Sequence, residues 1–219
     1  MALSAGTAVT PAVSPQESGK KHSGPKFLAA GLIVIAISAY RPLMVGDWLL
    51  ENLLVAVMLA VLIGTYRRLP LSNTSYWCLL LFLVIHEWGA HHKYADVPLG
   101  EWMKSWLQTS RNHYDRVAHF AFGISFAYPL QEILVRSAGV RGLWRYYLPV
   151  DISLAFGALY EILESIVASI VSPDAGEAFV GMQGDMWDAQ KDMALAGLGS
   201  VVAMAALAVW RAVRSRAVV

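Results

Sequence analysis

Residues 112–123 read NHYDRVAHFAFG, and the run continues through Phe126 and Tyr128 as a segment made for lipid would. His113, Asp115, Arg116 and His119 lie inside it. An ionisable group near a bilayer centre costs on the order of 2.5–3.5 kcal/mol, so a chain that keeps several faces them inward, pairs them and uses them. The remaining segments are arranged to meet these four.

The lipid setting rests on composition. Of the 219 residues 57% are hydrophobic and 15% charged, with a mean hydropathy of +0.49. A soluble domain carries about 45–50% apolar and about 25% charged residues. Together with repeated apolar stretches approaching helix-spanning length, this predicts an all-α polytopic membrane protein of one domain, with the lipid bilayer as its first partner. It excludes a separate soluble catalytic domain and gives no support to nucleic-acid binding. Cys78 is the only cysteine, so neither an intramolecular disulfide nor a thiolate metal cage can form.

Residues 1–25, rich in Ser, Ala, Gly and Pro, read as a disordered cytoplasmic tail. Residues 26–212 read as a bundle of six transmembrane helices plus one interfacial helix. The spans are 27–40, kinked near Pro42, then 48–66, 76–92, 113–135, 148–171 and 188–210. Between the third and fourth, Leu99, Trp102, Met103 and Trp106 share one helical face while Glu101, Lys104, Ser105 and Gln108 share the other. That pattern fits an interfacial helix, either a lid over a cavity or a plain anchor. Six spans put both termini on one side, which collects Lys20, Lys21, Lys26, Arg67, Arg68, Arg136, Arg141, Arg145, Arg211, Arg214 and Arg216, or 11 of 17 basic residues. The termini are therefore expected in the cytoplasm, with the protein in a bacterial inner membrane.

With about 1.5 Å of rise per residue, His86 and His91 lie about 15 and 22 Å up the third helix, and Tyr160, Glu161 and Glu164 roughly 18–24 Å along the fifth. Asp115 and His119 occupy the first two turns of the fourth helix, and Asp185, Asp188 and Asp192 the start of the sixth. Four helices thus deliver acids and histidines to one outer slab, each as a stripe of i,i+3 or i,i+4 neighbours. The loop before the sixth helix adds Asp174 and Glu177, with Gly181 and Gly184 for a tight turn. So many carboxylates in a partly desolvated site need cations, and Arg116 and Lys191 at the rim are too few. The candidate metal ligands are His86, His91, Asp115, His119, Glu161, Glu164, Asp185, Asp188 and Asp192. Oxygen and imidazole donors suit a divalent metal among Mg, Mn, Zn and Fe. His119 or Glu164 is the candidate base, with Asp115 beside them.

Two familiar motifs fail. His86-Glu87 is followed by Ala90 where a zincin needs its second histidine, and Glu161 meets Glu164 where a di-iron bundle needs histidine. Plainer readings exist for several groups. His86 and His91 could be buried histidines bonded across helices, and Asp115, Asp185 and Asp188 could serve as helix-start charges. Glu161 and Glu164, deep in a helix, have no such account.

The strings HEWGAHHKYADVPLG and NHYDRVAHFAFG, Tyr160-Glu161 with Glu164, and GMQGDMWDAQKDM together resemble the YjdF-like family of bacterial inner-membrane proteins across residues 30–210. The resemblance implies a location and no particular activity. A fainter similarity links Asp115-Arg116-Val117-Ala118-His119-Phe120 to the Asp-Lys-x-x-His-Phe string of VanZ-like membrane proteins, with Arg in place of Lys, which would imply glycopeptide or lipid handling. Three functions follow as expectations: metal-assisted hydrolysis or transfer on a lipid-like or phosphate substrate at the outer leaflet; a non-enzymatic carrier binding cations or relaying protons; or a structural polar network. Inner-half segments such as VAVMLAVLIG and AGLGSVVAMAALAV carry no charge, which favours a one-sided site over a transport path.

Overall fold

The computed structural model describes residues 23–170 and 182–216. Among them are seven helices and no strand: α1 (Gly24–Ser38), α2 (Val45–Thr65), α3 (Asn73–His91), α4 (Pro98–Leu107), α5 (Tyr114–Ser137), α6 (Trp144–Ile170) and α7 (Asp188–Arg216). Residues 1–22 of the expected tail, and Asp174, Glu177 and Gly181, lie outside the described residues. Three helices, α2, α6 and α7, are both long and apolar enough to cross a membrane. The others fall short for physical reasons. At 15 residues α1 is about 22 Å long against a ~30 Å hydrocarbon core, while α5 carries Asp115, Arg116, Glu132 and Arg136 in its own length.

The expected kink near Pro42 is instead a break. The residue before a proline is driven out of the helical region, and Arg41 sits at φ 53. The chain turns there, Leu43 N–H bonds to the His91 carbonyl at 3.0 Å, and α2 opens at Val45. α6 starts at Trp144, earlier than residue 148, and carries Pro149 inside it. The proline has no N–H for the carbonyl four residues back. That carbonyl, on Arg145, accepts from Gln131 Nε2 at 2.9 Å, so the side chain of α5 replaces the lost backbone bond. Ser72 caps α3, and its N–H and hydroxyl donate to Glu132 of α5 at 2.8 and 2.7 Å. These contacts set α3 and α6 antiparallel to α5.

At the centre of the bundle α5 packs on α7, α3 and α6, with α1 against α3 and α2 at the margin. The α5–α7 crossing is built from small residues. A Cβ on Gly123 would lie 1.9 Å from the Ala196 carbonyl, and one on Gly199 would lie 2.2 Å from the Phe120 carbonyl. Ala127, Ala196 and Ser200 beside them are fully buried. In lipid, where apolar side chains gain nothing by leaving the solvent, such close backbone approach is what holds helices together. By contrast α2 buries only Asp47, Glu51 and Val55; it is held by polar contacts at one end and faces outward with Leu49, Leu53, Val57 and Val61.

α4 lies at the same end as the start of α5. Its Trp102 and Trp106 are exposed and stacked at 6.2 Å. Asn112, immediately before α5, pins it by donating to the Val97 carbonyl at 3.1 Å and to Glu101 at 3.0 Å.

Candidate functional site: an acid and histidine cluster

The antiparallel packing brings the starts of α5 and α7 beside the far end of α6. On α5, Asp115 and His119 are one turn apart and point to the same side. His119 Nε2 is 3.5 Å from Asp115 Oδ1 and 3.5 Å from Glu161 Oε1 of α6. From α7, Asp192 enters the same space: one donor atom each of Asp115, His119 and Asp192 lie within 4.8 Å of one another. Asp192 is 2% exposed, and its Oδ1, like Glu161 Oε1, is buried without a hydrogen-bond partner.

Those separations carry chemical information. At 3.5 Å a nitrogen and an oxygen are beyond a good hydrogen bond. Two donors each about 2.0–2.2 Å from a tetrahedral cation stand about 3.4 Å apart. Asp115, His119 and Asp192 thus bring one imidazole and two carboxylates, without sulfur, within the separations that donors around a small ion have, and Glu161 adjoins the imidazole.

Glu164, one turn along from Glu161, is also buried. It adjoins Tyr160, whose hydroxyl donates to Glu51 of α2 at 3.0 Å. Glu51 neighbours Asp115 in turn. Six carboxylates, Glu51, Asp115, Glu161, Glu164, Asp188 and Asp192, thus share one end of the bundle, and Arg111 is the cation set among them. Its guanidinium lies 2.6 Å from Asp188 Oδ1, 3.6 Å from Asp115 Oδ2, and donates to the Met182 carbonyl at 2.6 Å.

Asp185 lies one turn before α7 and apart from this centre. It holds Arg116 and, at 2.6 Å, Lys191. The Lys191 ammonium, the Trp187 amide and Arg116 hold its carboxyl well below the usual carboxylate range, so it stays ionised and serves as a rim clasp. Gly184 before it sits at φ 84, and Gln183 exchanges hydrogen bonds with the Asn112 backbone at 2.8 and 3.2 Å. The segment leading into α7 is thereby sewn to the segment leading into α5.

The two histidines of α3 part company. His86 is buried near Glu51 and accepts or donates through Nδ1 to Tyr94 Oη at 2.7 Å. His91 faces α1, with Nδ1 2.8 Å from the Ser38 carbonyl, and does not meet the cluster. Glu87 serves another junction, beside Ser38, Trp48 and Asn52 where α1, α2 and α3 meet.

Sequence reasoning passed over Glu51, Arg111, Asn112 and Tyr94. Tyr94 is the most telling. Lys93 and Tyr94 are consecutive non-glycine residues in left-handed conformation, φ 58 and 40, each costing about 1–2 kcal/mol. The turn swings the Tyr94 ring back under the site, where Gly89 leaves room for it: a Cβ there would lie 2.6 Å from the ring. Burial and the Glu51 and Asp115 carboxylates push its hydroxyl well above the ordinary phenol value, so it remains a proton donor. The signal available in sequence was Gly89 five residues before a tyrosine in the most polar string of the chain.

Residues 26–213 match a family model described as "Predicted membrane protein (DUF2238)". The inner membrane protein YjdF of Escherichia coli (strain K12) is 38% identical over 178 residues, covering 81% of this chain and 83% of the relative. No solved structure matches.

Proposed function

Taking as premise that this chain belongs to the DUF2238 family of predicted membrane proteins, we propose that it holds a divalent cation at Asp115, His119 and Asp192, with Glu161 completing the set. It would use this cation for hydrolysis or group transfer on a lipid-like phosphate at the extracytoplasmic face. The observation that supports this most is the pair of bare, buried carboxylate oxygens on Glu161 and Asp192, set round an imidazole at cation spacing. A bound divalent cation supplies charge stabilisation at a phosphoryl oxygen and acidifies a bound water.

The chain's own residues do the rest. Glu164 lies beside the donors without being one of them, which suits it to accept a proton. Tyr160 orients Glu51 by its hydroxyl and keeps that acid on the far side of the site. Arg111 neutralises Asp188, so the α7 start can stand against Asp115. The exposed Trp102 and Trp106 seat α4 at the interface beside the site's mouth.

Elemental analysis of detergent-purified protein should find a stoichiometric divalent metal, and chelator should lower the melting temperature. A ligand at 100 times its Kd adds about 2.7 kcal/mol to stability. His119→Ala and Asp192→Asn should each lose metal and its stabilisation together. A chelator-insensitive wild type in which Glu164→Gln melts higher, having shed like-charge repulsion, would overturn the metal and the chemistry with it.

The same reading has six helices crossing the membrane with the termini inside, α1, α3 and α5 doing so only as members of the bundle beside the three longer apolar helices. Reporter fusions at Trp210 and between residues 69 and 75 are expected to report cytoplasm, and one near Gly100 the outside. The opposite pattern would move the site to the cytoplasmic face.

A further inference from the structure

At the end of the bundle opposite the acid cluster, α1, α2 and α3 do not close on one another. An apolar cleft of about 170 Å³, open along one side, runs between Phe27, Leu28 and Gly31 of α1, Met58 and Leu62 of α2, and Leu80 of α3. Along α2 it extends from Met58 to Tyr66, about 12 Å, which is close to the ~15 Å depth of one leaflet's hydrocarbon. Val55, buried, stands between its inner limit and Glu51, so it does not reach the acids. Gly24, Pro25 and Tyr66 line its end nearest the start of α1 and the end of α2. Lys26 follows Pro25, and Arg67 and Arg68 follow Tyr66; all three are exposed and have no carboxylate partner among the described residues. At the same end Arg136 is by contrast engaged by Glu132 and the Pro70 carbonyl.

We infer that this cleft is a binding site for an anionic phospholipid, one acyl chain lying between α1, α2 and α3 and the phosphate held by Lys26, Arg67 and Arg68. A chain in the cleft restores the contacts that sparse α2–α3 packing leaves unmade. The basic triplet supplies the selectivity, since each Lys or Arg near a charged headgroup strengthens binding about fivefold. The inference does not depend on the metal site.

Native mass spectrometry of the detergent-purified full chain with added phosphatidylglycerol or phosphatidylcholine of identical palmitoyl chains tests it. Phosphatidylglycerol should be retained on the order of a hundredfold more tightly. Arg67→Gln with Arg68→Gln should reduce that preference by roughly 25-fold. Leu80→Trp or Leu62→Trp, which fill the cleft, should weaken both lipids. Equal retention of the two headgroups would mean annular lipid only and overturn the site. The wild type alone gives a second check: hexanoyl phosphatidylglycerol binding as tightly as the palmitoyl form would show surface attraction without a chain in the cleft, and would overturn it too.

Discussion

Gly199→Leu is expected to leave no folded bundle in detergent, because no side chain can shift to admit it. The nearest atoms to a Cβ there are the Phe120 carbonyl oxygen at 2.2 Å and the Ile124 amide nitrogen at 3.0 Å, both backbone of α5. Gly123 presents the mirror case, 1.9 Å from the Ala196 carbonyl. Relief requires the two central helices to separate, which forfeits the packing that holds them and puts the loss above about 4 kcal/mol. Phe120 adjoins His119, so separation also carries His119 away from Asp192. Gly64→Ala is the control. A Cβ there meets nothing within 4 Å, the position lies in the last turn of α2, and the substitution should stabilise by less than the roughly 0.5–1 kcal/mol of a mid-helix site. Thermal melts monitored by circular dichroism decide the matter: a Gly199→Leu protein melting within a degree or two of wild type would refute the account of the α5–α7 crossing.

The all-helical architecture was legible because apolar runs of spanning length announce themselves, and because acids at i,i+3 and i,i+4 mark the inward face of each helix. That reasoning put Asp115, His119, Glu161, Glu164 and Asp192 on one polar stripe per helix, and the structure brings Asp115, His119, Glu161 and Asp192 together. It could not separate Asp185, a rim clasp, from Asp188, since both stand near the start of one helix and only the turn at Gly184 distinguishes them. Glu51 escaped notice because acids in the first two turns of a helix, here Asp47 and Glu51, are ordinary partners of the macrodipole. Its role depends on α2 docking against Tyr160, a contact 109 residues distant in the chain. Arg111 and Asn112 looked like loop polarity. They act through pairings with Asp188, Val97 and Gln183 that no local pattern encodes. Spacing placed His91 at the right height, yet height says nothing of azimuth, and its ring faces α1. The break at Pro42, where a kink was expected, turned on whether α1 had a neighbour to continue against; α3's end supplied a backbone bond to the turn instead.

Arg111→Ala should cost about 3–5 kcal/mol, the range for removing one partner of a buried ion pair. Arg111 and Asp188 are 5% and 4% exposed, and the guanidinium lies 2.6 Å from Asp188 and 3.6 Å from Asp115. Without it Asp188 loses its buried partner; the nearest remaining arginine, Arg116, is 3.6 Å from Asp188 but already engaged by Asp185. The Met182 carbonyl also loses its donor, loosening the Gln183–Asn112 seam that positions the start of α7. Arg111→Met combined with Asp188→Leu should behave differently, because removing both charges leaves neither unpaired and spares their desolvation. The double variant is expected to regain most of the loss, so that the two substitutions are strongly non-additive in a double-mutant cycle. Urea or thermal unfolding of wild type, both single variants and the pair supplies the coupling. Additive losses, or an Arg111→Ala cost below about 1 kcal/mol, would mean that water or another cation already satisfies Asp188, and that the charge at this end of the bundle is held by something other than Arg111.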